Sequence, residues 1–426
     1  MYGLIPHGES SPHRLSLFGV LPQLSVWDLL CERCPVVIET VRKPRRRVVL
    51  LVETSTSYGR SLLSGIVRFV RMHDDWSLYL EQRDLTARPP SWLSDWRGDG
   101  IISRVTTPGL IETVAKTGVP AVDLTDRHCR SGLPLVRTDD ELVGRMAAEH
   151  LMERGFKRFG FVGFPNEAWS ARRLNGFQSH LAEHGHTCRI HNSVWLDQHQ
   201  STWDTERDRL TDWMRTLEMP CGIMACNDVC GHNVLAVCNQ ERLAVPEETA
   251  VVGVDNDELL CRACDPALSS VMVNAEGVGY RAAELLATLM DGNTPKEYEQ
   301  IIAPLGVSVR QSTDVVAIED PTIATALQYI RQNACRGISV DDVLKNASLS
   351  RSSLERKVRK HLGRTPQEEI RHVQVKRAKE LLTTTDLSAE KIASLCGFEH
   401  SEYMYVVFKR HVGMTPGEFR TRSLQG

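Results

Sequence analysis

The residues best suited to chemistry in this chain stand just past short apolar runs. Glu53, Thr54, Ser55 and Tyr58 follow the run at 48–52, Asp123 follows 119–122, and Asp139 follows 135–138. Arg172 and Arg173 open a helical pattern beyond the run at 159–163; Asn227 and Asp228 follow 222–225, and Asp255 and Asn256 follow 250–254. Carboxylates, amides and a guanidinium converging on one cleft can hydrogen-bond many hydroxyls at once. That suits an uncharged polyol such as a sugar, which offers donors and acceptors and no charge to grip. Taken singly, each is more readily a helix cap or loop residue, Asp228 and Asn256 above all. Their shared position at strand ends is what points to a cleft.

A second polar set lies near the C-terminus, on the outward faces of two short helical patterns. Arg351, Ser352, Glu355, Arg356, Arg359 and Lys360 occupy the first, at 351–361; Ser401, Glu402, Tyr405, Lys409 and Arg410 occupy the second, at 401–411. Arg and Lys on such a face can reach phosphates and base edges. Both patterns belong to a repeat. H-L-G-R-T-P-Q-E-E-I at 361–370 is echoed at 411–420 by H-V-G-M-T-P-G-E-F-R, and each copy closes a helix, tight turn and second helix. Inner faces are apolar: Val340, Val343, Leu344 and Ala347, then Leu354 and Val358; Ile392, Ala393 and Cys396, then Met404, Val407 and Phe408. Ser339 with Asp342, and Thr365-Pro366 with Glu368, read as capping boxes. The helix that starts at Pro366 joins the units and can set their second helices about one DNA turn, ~34 Å, apart.

Apolar strand patterns alternate with helical ones at 58–72, 141–154, 171–184, 229–242 and 278–291, which implies an α/β architecture with parallel sheets. In such sheets ligands bind outside the carboxyl ends of the strands. The expected plan is an N-terminal extension over 1–44, a two-lobed α/β ligand-binding domain over 45–311, a linker over 312–321, and an all-α domain with two helix-turn-helix units over 322–426. The basic run at 42–47 reads as a solvated lead-in to a strand. Of the chain's net −3, the stretch from Glu319 carries 18 Lys and Arg against 13 Asp and Glu, or +5, which leaves −8 on the preceding part. A basic module on an acidic one fits a DNA reader joined to a sensor. No apolar run approaches the ~20 residues of a membrane span, and no secretion signal opens the chain. The 12 cysteines are scattered as in a reduced cytoplasmic protein. The Cys31/Cys34 and Cys261/Cys264 pairs lack the companion ligands of a zinc site, so no metal is expected. Without a Gly-rich dinucleotide fingerprint, a Walker motif or a nucleophile elbow, neither a cofactor nor enzyme activity is expected.

Residues 45–310 resemble the LacI/ribose-binding-protein family through D-G-I-I at 99–102, S-A-R-R-L-N-G-F at 170–177, A-C-N-D at 225–228 and V-V-G-V-D at 251–255. The resemblance implies that Arg173, Asn227 and Asp255 contact sugar hydroxyls; Glu53, Thr54, Tyr58, Asp123 and Asp139 complete the expected ligand set by their position at strand ends. Glu53 would select a hydroxyl pattern or pair with an arginine. Val273 departs from the family, which often has a polar contact there. The C-terminal repeat resembles the AraC family, most clearly through I-A-x-x-C-G-F at 392–398 and G-x-T-P-x-x-F-R at 413–420. It implies that Ser352, Glu355 and Arg356 face bases in the first unit and Ser401, Glu402 and Tyr405 in the second. Lys360, Lys409 and Arg410 would then meet phosphate, with Arg351 beside them. Arg356 has Val406 as its counterpart. Ser348 stands at a turn position that is glycine in many relatives, a strained place for a side chain. The order of parts, from Arg45 onward, resembles the xylose operon regulators. That implies a cytoplasmic homodimer with a sugar effector, D-xylose among the candidate pentoses, an operator of direct or inverted half-sites, and contact with RNA polymerase on activation. A transport-type sugar-binding protein and an α/β sugar-processing enzyme are the alternatives.

Overall fold

The computed structural model describes residues 45–73, 75–84, 88–104, 107–125, 132–194, 203–314, 317–347 and 349–423. The extension over 1–44, with Cys31 and Cys34, and the turn residue Ser348 lie outside them. Arg45–Gly426 forms one compact unit.

The chain first builds β1 (Arg46–Leu51), α1 (Ser57–His73), β2 (Trp76–Leu80), β3 (Gly100–Ser103), α2 (Pro108–Thr117), β4 (Ala121–Asp123) and β5 (Leu135–Thr138). It then crosses to a second lobe: α3 (Asp140–Glu153), β6 (Phe159–Gly163), α4 (Ala168–Glu183), β7 (Cys188–Asn192), α5 (Trp203–Arg215), β8 (Cys221–Ala225), α6 (Asp228–Gln240), β9 (Thr249–Val254), α7 (Glu258–Ala263) and β10 (Ser269–Met272). It returns for α8 (Ala275–Met290) and β11 (Glu299–Ile302), and crosses a third time to β12 (Gly306–Ser308). The sheets run β2-β1-β3-β4-β5-β11 and β7-β6-β8-β9-β10-β12. All pairings are parallel except β10 with β12. Each lobe thus has the doubly wound 2-1-3-4-5 order with one added edge strand, and each is covered by helices on both faces.

The central strands are continuous apolar runs because both faces are buried: β6, β8 and β9 have no exposed residue. α3 and α4 cross with glycine at the contact. A Cβ on Gly144 would stand 2.0 Å from the Arg173 carbonyl oxygen, and one on Gly176 1.9 Å from that of Glu141. Only glycine admits this approach, and it fixes α4 and its arginines against the start of α3.

The C-terminal part is all helical: α9 (Pro321–Asn333), α10 (Val340–Ala347), α11 (Arg351–Leu362), α12 (Pro366–Thr384), α13 (Ala389–Leu395), α14 (Ser401–Val412) and α15 (Pro416–Ser423). Its two helix-turn-helix units, α10–α11 and α13–α14, have separate apolar cores. One gathers Ile323, Leu327, Val343, Leu354, Val358 and Ile370; the other gathers Val375, Leu382, Ile392, Met404 and Phe408. Both capping boxes expected from sequence form, at Ser339–Asp342 and Thr365–Glu368, and Thr415–Glu418 repeats the second one.

Candidate functional site

The carboxyl ends of both sheets meet at a cleft of about 210 Å³. Lobe one contributes the loop after β1 and the first turn of α1 (Ser55, Tyr58), Arg104 after β3, and Arg137 and Thr138 of β5. Lobe two contributes Asp140 at the start of α3, Trp169, Arg172 and Arg173 of α4, Asn227 and Asp228 after β8, and Asp255 after β9.

Two guanidinium networks organise it. Arg173 is 4 % exposed. Its Nε donates to Asp140 Oδ1 (2.9 Å), Nη1 to the Cys226 carbonyl (2.6 Å) and Nη2 to Asp255 Oδ1 (3.3 Å), while Trp169 stacks over it at 4.9 Å. Arg172 donates to the other oxygen of Asp140 at 3.1 Å. Burial alone would ease the proton off Arg173; Asp255 and Asp140 more than reverse this, and the side chain stays firmly cationic. Across the cleft, Arg104 pairs with buried Glu53 and lies 4.9 Å over the Tyr58 ring, and Glu53 also accepts from Thr56 Oγ1 at 2.8 Å. Burial opposes the charge on Arg104 too, and Glu53, Tyr58 and Asp255 outweigh it. Asp255 sits at φ 100° and Asn256 at φ 54°, left-handed conformations uncommon for side-chain-bearing residues. Arg310 holds the Asn256 side chain at 2.8 Å. Asp228 accepts from Ser270 Oγ (2.6 Å) and the Asp257 amide (2.7 Å), and burial, with Asp255 nearby, pushes its carboxyl up to about 7.

Of the ligand set expected from sequence, Tyr58, Arg173, Asn227 and Asp255 stand in the cleft wall, and Glu53 stands behind it as the partner of Arg104. Thr54, Asp123 and Asp139 are outside the wall, and the two aspartates accept from backbone amides instead. The Thr54 carbonyl accepts from Arg60 (2.9 Å), the Asp123 carboxylate from the Thr125 amide (3.2 Å), and Asp139 caps α3 through the Leu142 amide (2.9 Å). The cap assignments change as well: Asn227 caps α6 and Asp257 caps α7, whereas Asp228 and Asn256 do not cap. Arg104, Asp140 and Trp169 were not singled out in the sequence. The strand-end rule reaches Arg104, which follows the run at 100–103; Asp140 and Trp169 are hidden beside the more conspicuous Asp139 and Ser170-Ala171-Arg172-Arg173.

At the other end, Arg351, Ser352, Glu355, Arg356 and Lys360 lie on the exposed face of α11. Glu402, Tyr405, Lys409 and Arg410 lie on that of α14, with Ser401 half-buried at its start. Arg351 is held at 2.8 Å by Asp341, and Val406 is 59 % exposed. Among the described residues one group, His180, Glu183 and His184, brings metal-ligand atoms together, and Arg145 already donates to Glu183 at 2.9 Å and to His180 at 3.3 Å. No helix among the described residues is long and apolar enough to cross a membrane.

Two parallel-sheet lobes facing across a polar cleft, followed by paired helix-turn-helix units on one linking helix, define a ligand-operated transcriptional regulator. Residues 47–134 match the XylR N-terminal domain, 148–313 the periplasmic binding protein-like domain and 343–422 the helix-turn-helix domain. The chain is 33 % identical over 384 residues to the xylose operon regulatory protein of Escherichia coli K12, covering 88 % of this chain and 97 % of that one. It is 31 % identical over 382 residues to that of Haemophilus influenzae, covering 88 % and 98 %. The solved structure of xylose-binding transcription activator xylR aligns with a TM-score of 0.77 at 31 % identity, over 89 % of this chain and 98 % of that one. The CelR–cellobiose complex shares the fold at TM-score 0.52 and 20 % identity, over 63 % and 85 %. The chain belongs to the family of xylose operon regulatory proteins and is a sugar-responsive transcriptional regulator.

Proposed function

We propose that the cleft takes an uncharged pentose, D-xylose first, and that its binding changes how a cytoplasmic homodimer engages operator DNA and RNA polymerase to activate pentose catabolism. One observation carries the choice of ligand: each cleft arginine already has a carboxylate. Arg104 has Glu53, Arg137 has Glu299 at 2.7 Å, and Arg172 and Arg173 share Asp140, with Asp255 beside Arg173. A phosphorylated or acidic sugar needs an unmatched cation, because a buried charge is costly without a partner. Hydroxyls need only the acceptor and donor edges left over around these pairs. The Trp169 and Tyr58 rings give the C–H faces of a sugar something apolar to lie on.

In this reading Arg173 and Asn227 donate to ring hydroxyls, Asp140 and Asp255 accept from them, and the sugar ties the lobes together. Arg356 is the main base-reading residue, with Lys360, Lys409 and Arg410 on phosphate. A coupling of ~1–3 kcal/mol between the sites gives a 5–150-fold change in DNA affinity. A transport protein has no use for residues 319–426, and turnover is not expected. Thermal shift against D-xylose, L-arabinose, D-ribose, D-glucose and xylose 5-phosphate tests the ligand, since a sugar at 100 times its Kd adds about 2.7 kcal/mol. A pentose should raise the melting temperature and the phosphate should not; stabilisation by the phosphate alone refutes the charge-pairing argument. Footprints that are identical with and without the pentose refute the switch.

A further inference from the structure

The two helix-turn-helix units do not share an apolar core. On α12 the first core ends at Ile370 and Val373, and the second begins at Val375. The continuous helix α12 carries both cores, and the angle between the units is set by it and by the contacts across the seam. Between the two cores stands Gln374, a polar side chain with no exposed surface. Its amide nitrogen donates to the Ala334 carbonyl (2.9 Å), at the root of the first unit, and to the Gly397 carbonyl (3.1 Å), in the turn of the second. Its amide oxygen accepts from Arg371 Nη1 at 2.6 Å. Arg371 in turn lies over the rings of Phe398 (5.6 Å) and Tyr403 (5.0 Å), both in the second unit. Gly397 sits at φ 73°, where a Cβ would come within 2.6 Å of the Gly337 nitrogen and 2.8 Å of the Ala334 oxygen. The second unit's turn is thus seated directly on first-unit backbone, and both hydrogens of one amide bridge the seam.

We infer that Gln374, backed by Arg371, is a positioning residue that fixes the angle between α11 and α14 and so sets the spacing of the two DNA segments the protein accepts. The inference rests on the reading that both helices enter DNA. Gln374 touches no base in it; it acts only through the geometry of the two helices. A buried polar group whose donors are all used defines one arrangement, because any sliding of the seam leaves the amide or two carbonyls unpaired.

The test is selection of binding sites from a random DNA pool by the full-length protein in saturating D-xylose, followed by affinity measurements on the recovered sites. Within each half-site wild type should return two sub-motifs at a single spacing, and one base pair inserted between those two, which rotates the second groove by about 34°, should cost it roughly tenfold or more. Gln374→Met keeps the volume and loses the bridge. It should return the same sub-motifs at several spacings and lose less than about threefold for the insertion. A merely stabilising role would lower the melting temperature and leave the spacing preference intact. If Gln374→Met is as strict as wild type, the proposal is overturned. Should that variant fail to fold, Arg371→Leu faces the same comparison and an unchanged spacing preference decides against it. Recovery of one sub-motif per half-site by wild type would instead refute the two-helix reading, and the positioning role with it.

Discussion

Arg173 shows how one side chain serves both packing and recognition. Its guanidinium joins α3, the end of β8 and the end of β9 through Asp140, the Cys226 carbonyl and Asp255. Removing one member of a buried, hydrogen-bonded ion network strands the others, so Arg173→Ala should destabilise the protein by about 3 kcal/mol in urea unfolding and abolish the pentose thermal shift. Arg172→Ala, which leaves Asp140 still paired, should cost about 1 kcal/mol or less. Asp228 supplies a pH signature. Its carboxyl is raised from 3.8 to about 7, so between those values the folded state holds a proton that the unfolded state has lost. Stability from this group therefore falls as pH rises through that window, by up to about 1.4 kcal/mol per unit. Relative to wild type, Asp228→Asn should gain in melting temperature from pH 5 to pH 7; a constant difference would show that Asp228 ionises normally. Sequence reading reaches this scale unevenly. Polarity at a strand end marks a zone, and it cannot say whether a carboxylate turns to the cleft, as Asp140 and Asp255 do, or to a backbone amide, as Asp123 and Asp139 do.

At the scale of elements, legibility follows burial. Helices with one wet and one dry face, such as α1 and α10, and strands dry on both faces, such as β6 and β8, carry clear periodicities. The elements without such a signal are edge pieces: β7 is Cys-Arg-Ile-His-Asn with a single buried residue, and β11 and β12 have none. The two capping boxes of the helical domain were legible because capping chemistry is local, whereas the single-residue caps of α6 and α7 were each read one residue off. Thr365 bonds the Glu368 amide while Glu368 bonds back, so Thr365→Ala should lower the stability of the helical domain by about 1 kcal/mol in thermal unfolding. The two recognition elements also differ. α11 presents exposed Arg356 where α14 presents Val406, 59 % exposed. Arginine reads guanine through two hydrogen bonds, and valine can offer only an apolar contact to a thymine methyl. Arg356→Ala should cost about 1–3 kcal/mol of DNA binding and flatten preference at one base position, and Val406→Ala clearly less. Equal losses in a base-substitution series would refute the asymmetry.

On the scale of the whole molecule, α3 is the element that runs from sensor to reader. It starts in the cleft at Asp140 and spans ~20 Å. Near its far end His150 meets Thr313 Oγ1 at 2.8 Å and Arg154 donates to the Thr313 carbonyl at 2.6 Å. The Ala317 amide then donates to the Arg154 carbonyl at 2.8 Å, and the Ile318 amide to that of Glu247 at 3.2 Å. Ile318 itself is buried in the core of the first helix-turn-helix unit, together with Ala244 of lobe two. This docking is not read from the sequence, where 312–321 is a short stretch of polar residues and a proline around the apolar run 315–318, too brief to show a periodicity. Its centre is an ion pair: Arg331 of α9 lies 2.9 Å from Glu247, which has no exposed surface and whose carboxyl burial pushes up against the pull of Arg331. Such a pair contributes little net stability, because desolvation offsets its attraction, yet losing one partner costs about 3–5 kcal/mol. It is suited to holding α9 against lobe two in one orientation. Glu247→Gln should therefore weaken the domain seam while leaving both binding sites built. Pentose affinity should stay within about twofold, and so should DNA affinity without sugar, but the change in DNA affinity on adding D-xylose should shrink toward one, since coupling exists only where both sites bias a shared element. The double variant Glu247→Gln with Arg331→Met removes the stranded charge; it should recover stability and still lack the response. If fluorescence anisotropy finds the full sugar response in both variants, the signal crosses elsewhere, and the rigid attachment of α9 to lobe two is not what carries it.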